Sequence, residues 1–425
     1  MTGIDLSLAD MYSYTELEKA LKDGAVSAGE IDRACIRVIE KKFEAGLFEK
    51  KELSEKALED FYADKHSEKI AYDMAAESIT LLKNNLLPLS DKQRIAVIGE
   101  NANDIYHILG DYTSERRKED GATILSALKK NFNNVVYAKG WSFNGNDDFS
   151  AAIRLAEESD VILLTLGGTS RRDFEASYLD NGAISESKQF MDCGEGPSIA
   201  ALSLPKQQIA LLSKLRKLGK PIVSIVIMGR AYVLTEVAEN SDALLIAYYP
   251  GQEGGYAISD ILAGKKNPSG KLPVSLPRTA GVLPIAYDRY NDPASYYDCG
   301  DPVLFPFGFG LSYSSFSYGN LSVSCNVNGL HIYFNVTNES DIDGKEVAEV
   351  YLTLRGDSIA HKKRRLVAFK KSLILAKASV AMEFSVPLAE IGFVAPVSPS
   401  VTVHIGNGRD DYLFESLDLS ALFKK

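Results

Sequence analysis

Three different hydrophobic rhythms follow one another along the chain. Near the start, Ile31, Ala34, Cys35, Val38, Ile39 and Phe43 recur at helical spacing. Ser27 and Glu30 stand just ahead of them in the arrangement of a capping box, and Gly46 plausibly stops the helix. A short strand-like stretch, GIDLSL, precedes it. One strand and two helices bury too little to hold such a stripe alone, so residues 1–60 are expected to be the tail of a larger domain.

From about residue 66 to 310 the rhythm changes to continuous apolar runs separated by helices: RIAVIG, NVVYAKG, VILLTLGG, PIVSIVIMG and ALLIAYYPG. Runs without polar alternation belong to strands buried on both faces. With helices such as Pro205–Leu218 between them and Gly219 beyond, they predict an α/β layer sandwich with a largely parallel sheet. Ligands of such sheets bind at the carboxyl ends of the strands. The loop after VILLTLGG is long and polar, from Thr169 to about Ser203, and long loops in compact domains are often functional.

Past the connector FPFGFGLSYSSF the pattern becomes strictly alternating. Leu330, Ile332, Phe334 and Val336 share one face, and Val380, Met382, Phe384 and Val386 share another, with turn residues Asp341–Gly344 between strands. This predicts an all-β sandwich like the fibronectin or immunoglobulin modules. The expected class is therefore α/β plus all-β, divided at 1–60, 61–310 and 311–425.

Composition narrows the partners. With 45% apolar and 24% charged residues the chain reads as globular, and no apolar run approaches a membrane span. A formal charge of −10 argues against nucleic acid. The one basic run, His361–Arg365, is short and reads as a solvated strand edge. Four scattered cysteines and five histidines without ligand spacing predict no metal site. Met1–Asp10 lacks the basic start and apolar core of a signal peptide, so a cytoplasmic location is expected.

Candidate chemistry concentrates in the long loop. Glu195 lies between Gly194 and Gly196, and flanking glycines let the backbone bring a carboxyl group close to a ligand, as a general acid requires. Without further context the GEG triplet reads more simply as an exposed turn. Arg171, Arg172, Asp173 and Glu175 follow the strand directly; they suit sugar diols, but a surface ion cluster is the simpler reading. Glu253 in YYPGQEGG reads better as a turn residue capping the next helix. No GxGxxG, GxxxxGK[ST] or GxSxG element follows any strand, so no cofactor is expected and a serine hydrolase is disfavoured.

Several segments together resemble glycoside hydrolase family 3, in that family's order and approximate spacing. They include DGAVSAGEIDRACIRVIEKKFEAGLFEK, AAESITLLKNNLLPL, GGTSRRDF, CGEGPSIAALSLPKQQ, PSGKLPVSLPR, LFPFGFGLSYSSF and DGKEVAEVYL. The resemblance implies an N-terminal (β/α)8 barrel, an α/β sandwich and a fibronectin type III-like domain, with a retaining mechanism shared between the first two. A barrel needs about 250 residues, so residues 1–60 would be only its C-terminal remnant.

The resemblance also assigns roles. Glu195 falls where relatives carry the acid/base, and Arg172 and Asp173 in the same loop are the candidate sugar contacts. The nucleophile, an Asp in a short SDW-like motif, has no counterpart here, and Asp5 matches a different family position. The chain departs from the family at Pro197 and Ser198, where relatives often carry an Asp-Arg pair. The expected substrate is a terminal β-linked glucoside or xyloside, with the nucleophile on a missing or separate barrel polypeptide. A split enzyme, a truncated one and a noncatalytic carbohydrate-binding or scaffold module all fit.

Overall fold

A computed structural model describes residues 4–7, 12–49, 54–63, 65–114, 121–145, 147–171, 177–179, 184–186, 190–194, 196–289, 296–356, 364–393, 399–408 and 410–422. Contacts divide the chain into two units, one of residues 1–68 with 173–189 and one of residues 69–172 with 190–425.

In the smaller unit the helix Ala28–Glu44 forms as the sequence predicts. Ser27 accepts the Glu30 N–H at 3.3 Å, and the Glu30 carboxylate takes the Ser27 N–H at 2.8 Å. Together they satisfy two of the amides that a helix start leaves without partners. No residue of this helix is buried; Ile36, Ile39 and Phe43 are 51%, 41% and 64% exposed. Of the predicted strand in GIDLSL, the described residues Ile4–Ser7 carry no ladder. A strand exists only by pairing with another. Asp5 instead makes a two-pronged ion pair with Arg37.

Along the chain the first eight strands are β1 (Thr80–Asn84), β2 (Arg94–Ile98), β3 (Asn134–Ala138), β4 (Val161–Gly167), the short hairpin of β5 (Ser177–Tyr178) and β6 (Ile184–Glu186), β7 (Ile222–Ile227) and β8 (Ala243–Ile246). In the larger unit six of them form one sheet in the order β1-β8-β7-β4-β2-β3. The five apolar runs read from the sequence are β2, β3, β4, β7 and β8, and they pair in parallel. The edge strand β1, antiparallel to β8, was not foreseen.

Alternate residues of these strands enter two different cores. Ile95, Val97, Leu163 and Ile225 pack with the helices Ile124–Asn131 and Gly254–Leu262, while Ala96, Ile98, Leu164 and Val226 pack with Phe149–Glu157 and Lys206–Arg216. Helices thus cover both faces, which is why the strands carry no polar alternation. Every residue of β4 is buried.

After the small pair β9 (Leu276–Pro277) and β10 (Val303–Phe305), the rest of the larger unit is all-β. Its strands are β11 (Phe316–Asn326), β12 (Gly329–Asn338), β13 (Gly344–Arg355), β14 (Arg365–Ile374), β15 (Ser379–Pro387), β16 (Ser400–Gly406) and β17 (Asp411–Asp418). They form sheets ordered β11-β12-β15 and β14-β13-β16-β17 around one shared core. The two apolar rows read from the sequence line that same core, in direct register: Leu330 opposite Val386, Ile332 opposite Phe384, Phe334 opposite Met382 and Val336 opposite Val380. Of the basic run, Arg364 and Arg365 are described. Arg364 bonds Asp411 and the Asn407 carbonyl, and Arg365, which opens the edge strand β14, bonds the carbonyls of Glu390 and Ile391. The run does reach an edge strand, but the Arg364 side chain is not solvated: these partners leave it only 12% exposed.

Polar bonds join the all-β part to the α/β part: Lys371 Nζ donates to the Glu77 carbonyl at 3.0 Å, and Asn267 Nδ2 to Ser314 Oγ at 2.9 Å. Phe334 is fully buried whereas Phe369 is 67% exposed. Phe334→Ala is expected to cost about 3–5 kcal/mol and Phe369→Ala under about 0.5. Urea unfolding of both variants measures the difference.

Candidate functional site

The strand order determines where the sheet opens. From β2 the chain winds outward to β3, then returns past β2 to β4 and continues outward through β7 and β8. The winding direction therefore reverses between β2 and β4. At such a switch the loops leaving the two strands diverge, and the crevice between them is where open α/β sheets bind ligands. The long polar loop emerges here.

Two sets of residues flank the crevice. The segment after β2 brings Glu100, Asn101, Asp104 and His107; the segment after β4 brings Gly168, Thr169, Ser170 and Arg171. They are tied across the gap. Asn101 Nδ2 donates to the Gly168 carbonyl at 3.1 Å, His107 Nδ1 lies 2.8 Å from Thr169 Oγ1, and Arg171 pairs with Asp104 at 2.9 Å. Thr169 Oγ1 also accepts the Arg171 N–H at 3.0 Å. The hydroxyl satisfies both neighbours if it donates to Nδ1, which leaves the imidazole proton on Nε2. That nitrogen is buried and unbonded among the described residues, 3.9 Å from Asp104 Oδ2.

Burial governs the electrostatics. It pushes the His107 imidazole down to about 4, against the attraction of Asp104 and Glu100. Burial also works against the charge of Glu100, but Lys139 at 2.9 Å and the Phe143 N–H at 2.7 Å outweigh it and hold that carboxyl below its ordinary range. Phe143 lies tilted against His107 and stacks on Phe190, with centroids 4.9 and 5.4 Å away.

The loop returns to the same edge. Asp192 is buried, its carboxylate accepting the Thr169 N–H at 2.9 Å and the Tyr232 hydroxyl. Burial raises its carboxyl above the ordinary value, while Thr169 and Arg230 oppose that shift. Arg230, beyond β7, reaches Ser198 Oγ at 3.4 Å, at the position where this chain departs from the Asp-Arg pattern.

Glu195, Arg172, Asp173 and Glu175 lie outside the described residues. What brackets Glu195 is described: Gly194 lies against Asp111, and Gly196 has φ +84°, a left-handed conformation that favours glycine. Glu253 occupies the N-cap position of the helix Gly254–Leu262, although its side chain makes no cap bond. Among the described residues no group of His, Cys, Asp or Glu is arranged to hold a metal, and no helix is long and apolar enough to cross a membrane.

Sequence reading passed over Asp104, His107, Asp192 and Tyr232. The available signal was position: ENANDIYH follows a parallel strand directly, and lone polar groups there face the strand ends.

A doubly covered, largely parallel sheet with a polar crevice at its switch point and a separate all-β part defines the class of the protein. The sequence model of the glycosyl hydrolase family 3 C-terminal domain matches residues 79–313, more than half of the chain. The chain belongs to glycoside hydrolase family 3. It is 27% identical to a periplasmic β-glucosidase of Salmonella typhimurium, over 92% of this chain and 55% of that protein. It is 30% identical to a β-xylosidase of Formosa agariphila, over 98% of this chain and 59% of that one. The structure of a Listeria innocua β-glucosidase in complex with isofagomine superposes with a TM-score of 0.85 at 28% identity, covering 98% of this chain and 59% of that one. The chain thus spans little more than half the length of these relatives.

The depressed imidazole gives a pH signature. Unfolded, the imidazole takes up a proton as pH falls below about 6.5; folded, His107 stays neutral until about 4. Its contribution is complete above pH 6.5 and lost as pH falls through 4, on the order of 3 kcal/mol at about 1.4 kcal/mol per unit. Denaturant unfolding at pH 7 and pH 4.5 is expected to show a smaller pH loss for His107→Gln than for the parent.

Proposed function

We propose that the chain forms part of a retaining β-glycosidase that removes terminal β-linked glucose or xylose residues. Glu195 serves as general acid and then general base, Arg172 and Asp173 contact the sugar, and the nucleophilic Asp belongs to a (β/α)8 barrel portion outside these residues. The observation that carries the reading is the position of the loop. The segment containing Glu195 leaves from the switch crevice of the sheet, three residues after Asp192, which is bonded there to Thr169.

The chemistry requires two carboxyl groups about 5–5.5 Å apart across the anomeric carbon. One attacks; the other protonates the leaving oxygen and later deprotonates water. Asp5 is unsuited to attack, because Arg37 already holds its carboxylate and lowers it from the ordinary value. The unburied apolar face of the helix Ala28–Glu44 supports residues 1–60 as the last part of a barrel seeking the rest. Residues 61–310 then form the sandwich domain, and 311–425 a fibronectin type III-like domain.

The test is hydrolysis of aryl β-glucosides and β-xylosides by the chain alone and together with a family 3 barrel polypeptide. Activity only in the mixture is expected. Glu195→Gln should then lower turnover of substrates with poor leaving groups by about 100- to 10,000-fold, and leave substrates with strongly activated leaving groups far less affected in the glycosylation step. Sugar binding without hydrolysis in the mixture would instead favour a noncatalytic module.

A further inference from the structure

We infer that Asp192 is a positioning residue for the acid/base: its carboxylate pins the chain, three residues before Glu195, to the strand end at Thr169 on the carboxyl edge of the sheet. The inference rests on the reading of Glu195 given above and deepens it.

The strand end at Thr169 and the returning arm at Asp192 are twenty-three positions apart in sequence, yet they form a short ladder. Asp192 Oδ1 accepts the Thr169 N–H at 2.9 Å, the Asp192 N–H returns to the Thr169 carbonyl at 3.2 Å, and Ser170 Oγ donates to the Cys193 carbonyl. The other carboxylate oxygen takes the Tyr232 hydroxyl from beyond β7, which fixes the ladder to the next strand. Thr169, Ser170 and Asp192 are each at most 2% exposed. Water therefore competes little for these bonds.

Gly168 shows how closely the parts meet. A Cβ there would collide with the Tyr232 hydroxyl and with both carboxylate oxygens of Asp192, so the strand end has been kept bare where the carboxylate crosses it. A charged group this deep is costly unless its hydrogen bonds are made, and a hydrophobic residue would close a loop root without that cost. What the carboxylate adds is direction: it bonds a specific amide and a specific hydroxyl on two different segments.

Glu195 follows Asp192 by three positions, so covalent geometry limits the distance between their α-carbons to about 11 Å. A shift of the root is carried to the acid/base through two residues. Since a misplacement of about 1 Å at a reacting group can cost about 100-fold in rate, the root has to be held.

Two measurements test this. In the chain alone, Asp192→Ala and Tyr232→Phe are expected to speed amide exchange at Thr169 relative to the core amides of β4, with Asp192→Asn intermediate because its carbonyl still accepts the amide. In the enzyme assembled with its barrel portion, Asp192→Ala should lower kcat by up to about 100-fold for glycosides with poor leaving groups. Dinitrophenyl glycosides, which leave without a proton, should be cleaved at nearly the parental glycosylation rate, and Asp192→Asn should restore part of the loss. An equal loss on both substrates, or unchanged exchange at Thr169, would overturn the inference in favour of a purely structural Asp192. Glu195→Gln run alongside separates the two readings: without leaving-group dependence in that variant the acid/base assignment fails and the positioning role falls with it, while the exchange result still reports on the clasp.

Discussion

Burial of one sheet on both faces is the constraint from which the site follows. Because β2, β4, β7 and β8 have no face toward water, each parallel connection must cross over a face with a helix, and two helical layers have to be filled. Filling both layers from a chain that starts in the middle of the sheet forces a reversal of winding. Here the reversal falls between β2 and β4. The loops leaving those strands have to part, and polar groups gather where backbone amides at the strand ends have no further partners.

The polar residues at that edge differ in how they are held. Glu100 keeps its charge through Lys139 and the Phe143 amide, His107 is held neutral by burial, and Asp192 sits deep enough that burial raises its carboxyl. Of three titratable groups in one crevice, Glu100 and His107 are thus driven down and Asp192 up. Such separation is common where a protein prepares a site and also occurs in plain structural networks. What gives it direction here is topology, since His107 and Asp192 both bond Thr169, where the long polar loop leaves the sheet.

Much of the frame is legible in the residues themselves. Uninterrupted apolar runs gave the five parallel strands, strict alternation gave β12 and β15, and Ser27 with Glu30 gave a helix start with both bonds in place. Strand β1 escaped because TLLKN continues directly from the helix Lys65–Ser78, and a short apolar run next to a helix has no period of its own. GIDLSL failed in the other direction: its pattern suits a strand, but a ladder needs a neighbour. The site was legible only in outline. GEG and the strand ends marked a region, whereas the pairing of Thr169 with Asp192, or of His107 with Thr169, depends on distances that no local pattern encodes.

The helix Ala28–Glu44 poses the complementary problem. Its caps and spacing are those of a helix that packs, yet none of its residues is buried. Full burial of a side chain such as Ile or Phe contributes about 1.5–3 kcal/mol, so Ile36, Ile39 and Phe43 together leave several kcal/mol unrealised. Capping supplies about 1 kcal/mol and cannot replace that. A sequence that preserves an apolar stripe beside a well-made cap is consistent with a surface to be covered.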